Sequence, residues 1–176
     1  MSIPHPHARR LLAAAALCTA GATAHAAEVS LARLDCGSEP TPVSVAAFSD
    51  TLEHEELRLP LVYSCYLVRH GDRYLVWDTG NALDGSPRAP KVSLVDQLAR
   101  IGVALEAVEY VGISHHHADH TGQLASFPKA TLLIGRGDWD VVRPAQAPAG
   151  VDPQAHAARR APFSLWTLGA DRKSVV

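Results

Sequence analysis

Residues 114–122 read Ser-His-His-His-Ala-Asp-His-Thr-Gly, and they hold four of the ten histidines in the chain. They follow an apolar stretch that predicts a buried strand. Alternate residues of an extended segment project to the same side, so we expect His115 and His117 to bind one cation together. Asp119 and His120 point onward as the chain turns toward a helix, and they can hold a second cation.

A pair of cations at this turn is suited to hydrolysis. A water that bridges two metal ions has a lowered pKa and supplies hydroxide at neutral pH. Histidine clusters also occur on exposed loops, and Asp119 alone could be the N-cap of the next helix. Four histidines with an aspartate at a strand-to-helix turn favour metal binding over these interpretations. His116 faces away from its neighbours, and we assign it no ligand role.

Strands and helices alternate on either side of this turn. Two runs rich in β-branched and aromatic residues flank His70-Gly71-Asp72, which predicts a hairpin. Ser93 can cap a helix in which Leu94, Leu98 and Ile101 recur at helical spacing. The predicted strands are 29–34, 61–69, 73–77, 110–114 and 131–134, with further helices near Gln123 and Trp139. This order of elements indicates a layered α/β fold.

The composition is that of one folded domain without a basic surface. The 176 residues are 47% hydrophobic and 19% charged, and 16 Lys and Arg stand against 18 Asp and Glu, for a net charge of −2. No basic field is available to hold a polyanion, so nucleic acid is not an expected partner. Three cysteines are too few for a disulfide scaffold. Cys36 and Cys65 are compatible with a disulfide or with two buried thiols.

Residues 1–26 have the pattern of a signal peptide. Arg9 and Arg10 form a positive region, residues 11–22 are an apolar run rich in Ala and Leu, and Ala24-His25-Ala26 is a small-x-small cleavage pattern. The apolar run is too short to be a permanent membrane anchor. We therefore expect a periplasmic or secreted protein with no membrane attachment after cleavage, rather than a buried alanine-rich helix.

The metal-binding pattern resembles that of a known family. His115-x-His117-x-Asp119-His120 is similar to the H-x-H-x-D-H signature of the metallo-β-lactamase superfamily, and Asp78-Thr79-Gly80 is similar to the strand-end D-T-G that precedes it there. The resemblance covers about 31–143, and it implies the N-terminal half of a four-layer αβ/βα sandwich with two zinc ions. Finer matches that look like the N-acyl homoserine lactonase branch are Leu34-Asp35-Cys36-Gly37, residues 64–70, Thr121-Gly122-Gln123, and residues 130–135 followed by Gly137-Asp138-Trp139.

The resemblance also implies roles for individual residues. His115 and His117 would bind the first zinc, and Asp119 and His120 the second. Asp78 would lie beside the metals and orient the motif loop without binding them; the alternative is a carboxylate that caps the following turn. Asp119 is the implied catalytic residue, because with the second zinc it would assist the leaving alkoxide.

Two departures from the family concern the rest of the site. His116 and Ala118 occupy slots where the lactonase branch usually has aromatic residues. The family also needs a third His for the first zinc, an Asp that bridges both ions and a last His for the second, all in its later half. His156 lacks the glycine-flanked strand-end context of such a ligand, so we do not expect it to bind zinc.

We therefore expect residues 27–170 to be the N-terminal, incomplete part of a metallo-β-lactamase-like domain. Residues 171–176 resemble the in-frame translation of a sequencing adapter, which predicts a non-native tail rather than a genuine polar C-terminus. The first half of such a sandwich leaves an apolar sheet face exposed. With at most two ligands for each zinc, the 176-residue chain is expected to bind zinc weakly and to be inactive.

The expected activity is that of a zinc hydrolase that opens the lactone ring of an N-acyl homoserine lactone or a related small ester. One alternative is a three-histidine-type metallo-β-lactamase, because His120 stands where another β-lactamase subgroup has Arg. Another is a glyoxalase II-like thioesterase, although export argues against a glutathione substrate. A chain that only binds metal weakly is the non-enzymatic alternative. The sequence gives no oligomeric state.

Overall fold

The framework of the protein is a mixed β-sheet, seen in a computed structural model that describes residues 28–167 and the backbone of residues 174–175. The predicted signal peptide, 1–26, lies outside the described residues, as do most of residues 171–176. The described strands are β1 (Val29–Ser38), β2 (Val43–Ser44), β3 (Arg58–Leu59), β4 (Val62–His70), β5 (Arg73–Trp77), β6 (Val108–Ile113), β7 (Thr131–Ile134) and β8 (Ser174–Val175). The described α-helices are α1 (Leu94–Arg100), α2 (Ala118–Thr121), α3 (Arg136–Val142), α4 (Pro153–Arg160) and α5 (Ser164–Thr167).

Six of the described strands form one sheet in the order β1-β4-β5-β6-β7-β8, and β2 pairs with β3 separately. β1, β4 and β5 are antiparallel neighbours, whereas β5 to β8 run parallel. β4 and β5 form the predicted hairpin, and Gly71 in its turn has a φ of 64°. β8 lies within residues 171–176, whose non-native origin stays a prediction. Helices connect the parallel strands, so the α/β class is confirmed.

One face of the sheet carries the hydrophobic core. Val76, Val111 and Leu132 are aligned on neighbouring strands, and none of their side chains is exposed. Leu94 and Leu98 of α1 belong to the same cluster of buried residues. The helical spacing of these two leucines therefore directs α1 against the sheet, as the sequence predicts.

The α1 helix begins where the sequence places it. The Ser93 hydroxyl accepts a hydrogen bond from the Asp96 backbone N at 3.0 Å, which satisfies one of the free amides of the first turn. The helix ends at Arg100, and Ile101 is 52% exposed. Although Ile101 follows Leu94 and Leu98 at helical spacing, it does not extend the buried face, because Gly102 has a φ of 76° and turns the chain away.

A disulfide joins β1 to β4. Cys36 and Cys65 are bonded, with their Cα atoms 5.8 Å apart, and neither side chain is exposed. Cys65 pairs with Leu34 in the ladder, and an irregularity in β1 between Asp35 and Ser38 brings Cys36 beside it. The sequence left a disulfide and two thiols open as alternatives, and the structure has the disulfide.

The opposite face of the sheet presents apolar side chains to solvent in the described part of the chain. Leu31 is 65% exposed and Trp77 is 42% exposed. The Trp77 ring lies over Gly112, where a Cβ would come within 2.5 Å of it. Val68 and Leu75, which pair in the ladder, are only partly buried. The exposed apolar face expected from the sequence is thus present.

The sequence did not predict α4 or the pairing of β2 with β3. The Asp152 carboxylate caps α4 by accepting hydrogen bonds from the Gln154 and Ala155 amides, each at 3.2 Å, and Pro153 occupies the first turn. The two-residue strands β2 and β3 are too short for alternation to reveal them. None of the described helices is long and apolar enough to cross a membrane.

Polar substitutions on the open sheet face should reduce association without loosening the fold. In Val29→Thr/Leu31→Thr we expect weaker fluorescence of a hydrophobic dye and slower aggregation at an unchanged thermal midpoint, because both side chains are exposed on that face. Leu67→Ala, on the buried face of the adjacent strand, is the control and should lower the free energy of unfolding by about 2–5 kcal/mol. Unchanged dye binding in the double variant would contradict the assignment of this face.

Candidate metal centre

The histidine motif lies at the carboxyl end of the parallel part of the sheet. β5 ends at Trp77 and β6 at Ile113, and the two strands are neighbours. Residues that follow adjacent parallel strands meet at one edge of the sheet, which is where open α/β folds bind ligands. The Asp78 backbone N donates to Gly112 O at 2.8 Å, and this bond brings Asp78 beside Ser114.

Three of the four predicted metal ligands form one cluster. His115, Asp119 and His120 each offer a donor atom, and these atoms lie within 4.8 Å of one another. The centroids of the two imidazole rings are 3.9 Å apart, and His120 Nε2 lies 3.4 Å from Asp119 Oδ2. All three side chains are partly buried. Two imidazole nitrogens and a carboxylate oxygen are a donor set that suits zinc.

Asp78 organises the polar groups around this cluster. Its carboxylate is 6% exposed and accepts hydrogen bonds from Ser114 N, Ser114 Oγ and His120 Nδ1, each at 2.8 Å. A carboxylate only accepts, so His120 donates from Nδ1, and Nε2 is the ring nitrogen on the side of Asp119. Metal-binding imidazoles are oriented by such a partner. These contacts favour the orienting role of Asp78 over the cap of the following turn.

The surroundings of His115 favour its neutral form, which is the form that binds a metal ion. Since Ser114 Oγ donates to Asp78, it accepts from His115 Nδ1 at 3.2 Å, and this leaves His115 Nε2 with a lone pair. Burial, followed by the positive charges that His120 and His117 can carry, lowers the pKa of His115. A neutral imidazole binds a cation without first losing a proton.

His117 lies beside the cluster but is not part of it. Its ring centroid is 4.6 Å from that of His115, and its backbone carbonyl accepts from His120 N at 3.0 Å and from Thr121 Oγ1 at 3.1 Å. The predicted division of the ligands between two cations stays a prediction. His156 is buried in α4, where its Nε2 donates to the Pro144 carbonyl oxygen at 2.9 Å.

Asp138 holds the motif loop from outside the motif, a role that the sequence did not reveal. Its Oδ1 accepts from the His116 backbone N at 2.9 Å and from His116 Nδ1 at 2.6 Å. Burial acts to raise the pKa of Asp138, but the bonds from His116 outweigh it and the pKa is lowered. In the sequence, Gly137-Asp138-Trp139 matches the lactonase branch, but this match does not indicate that Asp138 contacts His116.

The Asp-Thr-Gly turn after β5 also fixes α2. Thr79 donates to His120 O, from its backbone N at 2.7 Å and from Oγ1 at 3.0 Å, and Gly122 N donates to Gly80 O at 2.7 Å. A Cβ on Gly122 would lie 2.1 Å from Ala82 N, so only glycine allows this approach. The sequence pointed to the turn, but not to its bonds with α2.

A cavity of about 560 Å³ opens beside α2. Ala118 and Thr121 of α2 form one wall, and Ala82, Pro87 and Arg88 form part of another. The small Ala118 leaves open the space that an aromatic side chain in this slot would occupy. The cavity is therefore able to take an apolar group beside α2, although none of the three cluster residues lines it.

Arg88 and Asp84 are charged residues that line the cavity, and Arg88 is held in an ion pair. Arg88 Nε lies 2.8 Å from Glu39 Oε1, which also accepts from the Tyr63 hydroxyl at 2.5 Å. The bond from Tyr63, and then the one from Arg88, hold the pKa of Glu39 below its usual value. Burial and the bond to Glu39 raise the pKa of Tyr63 to about 12, with a smaller contribution from the charge of Asp119.

Comparison with known sequences places most of the chain in one family. Residues 58–171 match the metallo-beta-lactamase superfamily. The N-acyl homoserine lactonase AttM of Rhizobium johnstonii is 32% identical over 91 residues, which are 43% of this chain and 35% of that protein. The probable metallo-hydrolase YqjP of Bacillus subtilis is 40% identical over 70 residues, 40% of this chain and 20% of that protein. The chain thus spans about a third or less of the length of these relatives.

Comparison with solved structures supports the same fold. AidC, a dizinc quorum-quenching lactonase in complex with a product, has a TM-score of 0.60 at 20% identity, over 86% of this chain and 60% of that chain. At this level of identity the likeness concerns the fold alone.

Asp78→Asn should weaken zinc binding and leave the fold intact. Asn tolerates the left-handed backbone at this position, but its neutral amide is a poorer partner for His120 Nδ1. Loss of such a partner costs about 10–100-fold in metal affinity, so the Kd for zinc should rise by that factor in a competition with a chromophoric chelator. Asp140→Asn, on the exposed side of α3, is the control. Equal Kd values for the two variants would contradict the role of Asp78.

Proposed function

The chain belongs to the metallo-beta-lactamase superfamily, and from this premise we propose that the protein is a zinc-dependent hydrolase that opens the lactone ring of N-acyl homoserine lactones or of a related small ester. The observation that carries the proposal is the cluster of His115, Asp119 and His120 at an edge organised by Asp78. The similarity to the lactonase AttM supports the choice of substrate.

Zinc fits the residues that are present. The cluster offers nitrogen and carboxylate oxygen donors within 4.8 Å of one another. We propose that His117, whose ring lies beside His115, joins the cluster and that the four motif residues serve two ions, as the family resemblance implies. The chemistry that zinc supplies when bound is Lewis acidity, which polarises an ester carbonyl and lowers the pKa of water.

Asp119 is the side chain proposed to move the proton. Addition of water to the lactone carbonyl breaks the bond between the carbonyl carbon and the ring oxygen, and this oxygen must gain the proton that the water loses. The Asp119 carboxylate belongs to the cluster, and its charge acts on Arg88 and Tyr63 across the cavity wall. Its membership of the cluster supports the proposal that it takes the proton from the water and delivers it to the leaving oxygen.

The cavity beside α2 is the proposed place for the rest of the substrate. Ala82, Pro87 and Ala118 give it apolar walls, and Arg88 adds a hydrogen-bond donor at the rim. An acyl amide combines an apolar chain with a carbonyl oxygen, which matches these two surfaces. We propose that the acyl chain of the substrate packs against Ala118 and that the amide oxygen of the substrate lies toward Arg88.

Location and extent are part of the proposal. We propose that residues 1–26 direct export, so that the enzyme works in the periplasm or outside the cell on a small-molecule substrate. The chain spans 35% of the length of AttM, and we propose that the remaining zinc ligands belong to the corresponding later half of the domain. The 176 residues on their own are then a weak zinc binder without activity.

Turnover assays should distinguish the three hydrolase classes. For the full-length protein we expect a higher kcat/KM with N-acyl homoserine lactones than with a cephalosporin or a glutathione thioester. Ala118→Phe should lower kcat/KM for a long acyl chain more than for a short one, because the ring fills the cavity next to α2. A preference for the cephalosporin would instead favour the three-histidine β-lactamase, and a preference for the thioester would favour the glyoxalase II-like enzyme.

The 176-residue chain on its own should show incomplete metal binding. Zinc bound by too few ligands contributes little to folding and does not hold water for attack. We expect calorimetry to give a Kd above the submicromolar range, and lactone turnover to equal the buffer blank. Tight stoichiometric zinc together with turnover that His117→Ala abolishes would contradict the proposal.

A further inference from the structure

The disulfide between β1 and β4 lies directly against the turn that leads to the metal centre. Cys36 and Cys65 are fully buried, and a Cβ placed on Gly80 would lie 2.5 Å from both Sγ and Cβ of Cys36. Asn81 donates twice to the Cys36 carbonyl oxygen, from its backbone N at 3.2 Å and from Nδ2 at 3.0 Å. Residues 80 and 81 are therefore fixed to the cystine.

The same turn fixes the helix that carries two residues of the cluster. Thr79 N donates to His120 O at 2.7 Å, and Gly122 N donates to Gly80 O at 2.7 Å. The Asp78 carboxylate holds the His120 ring. A continuous path of contacts thus runs from the disulfide through Gly80, Thr79 and Asp78 to His120.

The backbone of this turn depends on its surroundings. Asp78 has a φ of 58° and Gly80 a φ of 64°. Asp adopts this left-handed conformation more readily than most residues with a Cβ but less readily than glycine, so contacts with neighbouring residues help to hold Asp78 in it. Two thiols need more space than two bonded sulfurs, and Gly80 is packed closely against Cys36. Breaking the disulfide therefore removes one of the constraints that hold Asp78 in place.

We propose that the Cys36–Cys65 disulfide positions the turn at 78–80 and, through it, His120, so that the affinity of the centre for a divalent cation depends on the oxidation state of this cystine. The inference rests on the proposed metal site but not on the identity of the substrate. Where export delivers the chain to an oxidising compartment, disulfide formation precedes full metal affinity.

Hydrogen exchange tests the positioning directly. A water-soluble phosphine reduces the disulfide: two electrons from phosphorus and two protons from solvent convert the S–S bond to two thiols, and the phosphine becomes its oxide with an oxygen from water. We expect the Thr79 and Gly122 amides to exchange about 10-fold faster after reduction, while the Val111 and Leu132 amides keep their rates. Equal acceleration at all four amides would mean that the disulfide only stabilises the fold, and unchanged rates at Thr79 and Gly122 would also overturn the proposal.

Zinc affinity tests the consequence of this positioning. After the phosphine has been removed, the Kd for zinc should be about 10-fold higher in the reduced protein than in the oxidised protein. Cys36→Ala/Cys65→Ala should match the reduced form, which excludes the new thiols as zinc ligands. Val108→Ala, which truncates a buried side chain at the opposite end of β6, is the control for lost stability and should leave the Kd unchanged.

The outcomes separate this inference from the proposed function. Equal, measurable zinc affinity in the oxidised and reduced forms, whether tight or weak, would overturn the inference and leave the proposed metal site standing. Absence of zinc binding in both forms would overturn the proposed function and the metal link together. If the double alanine variant does not fold, the comparison of the oxidised and reduced unaltered protein decides the question.

Discussion

The rest of the site depends on the carboxylate of Asp78. It accepts hydrogen bonds from the Ser114 amide, the Ser114 hydroxyl and His120 Nδ1. These bonds join the end of β5 to the loop after β6 and orient the imidazole of His120. Asp78 is only 6% exposed, so its carboxylate would be costly to leave without these donors. One buried carboxylate therefore fixes the start of the motif loop, at Ser114, and the ring of His120 near its end.

A second carboxylate holds the loop between these two points. Asp138 binds the amide and the ring of His116, whereas Asp78 binds Ser114 and His120. Ser114 and His116, which the two carboxylates hold, flank His115 of the cluster. Such outer contacts orient metal ligands before a cation arrives, which reduces the entropy lost on binding. The lowered pKa of His115, caused first by burial, adds to this preparation.

Local patterns in the sequence predicted the hairpin of β4 and β5, the cap at Ser93 and the motif at the end of β6, because each is decided by residues close together in the chain. Contacts between distant segments could not be predicted in this way. Asp138 lies 22 residues from His116, and the pairing of Cys36 with Cys65 needs a distance that only the fold provides. The spacing predicted that the four motif residues meet at one turn, but not that Asp119 and His120 of α2 come within 4.8 Å of the ring of His115.

Three segments meet behind the cluster at distances that two glycines permit. Cys36 lies against Gly80, and Gly122 lies against the backbone at Asn81 and Ala82. A Cβ at either glycine would push β1, the turn after β5 or α2 out of place, and all three movements reach His120 through Asp78 or Thr79. Substitution of Gly80 or Gly122 is therefore expected to disturb this centre as much as substitution of the imidazoles and carboxylates of the cluster.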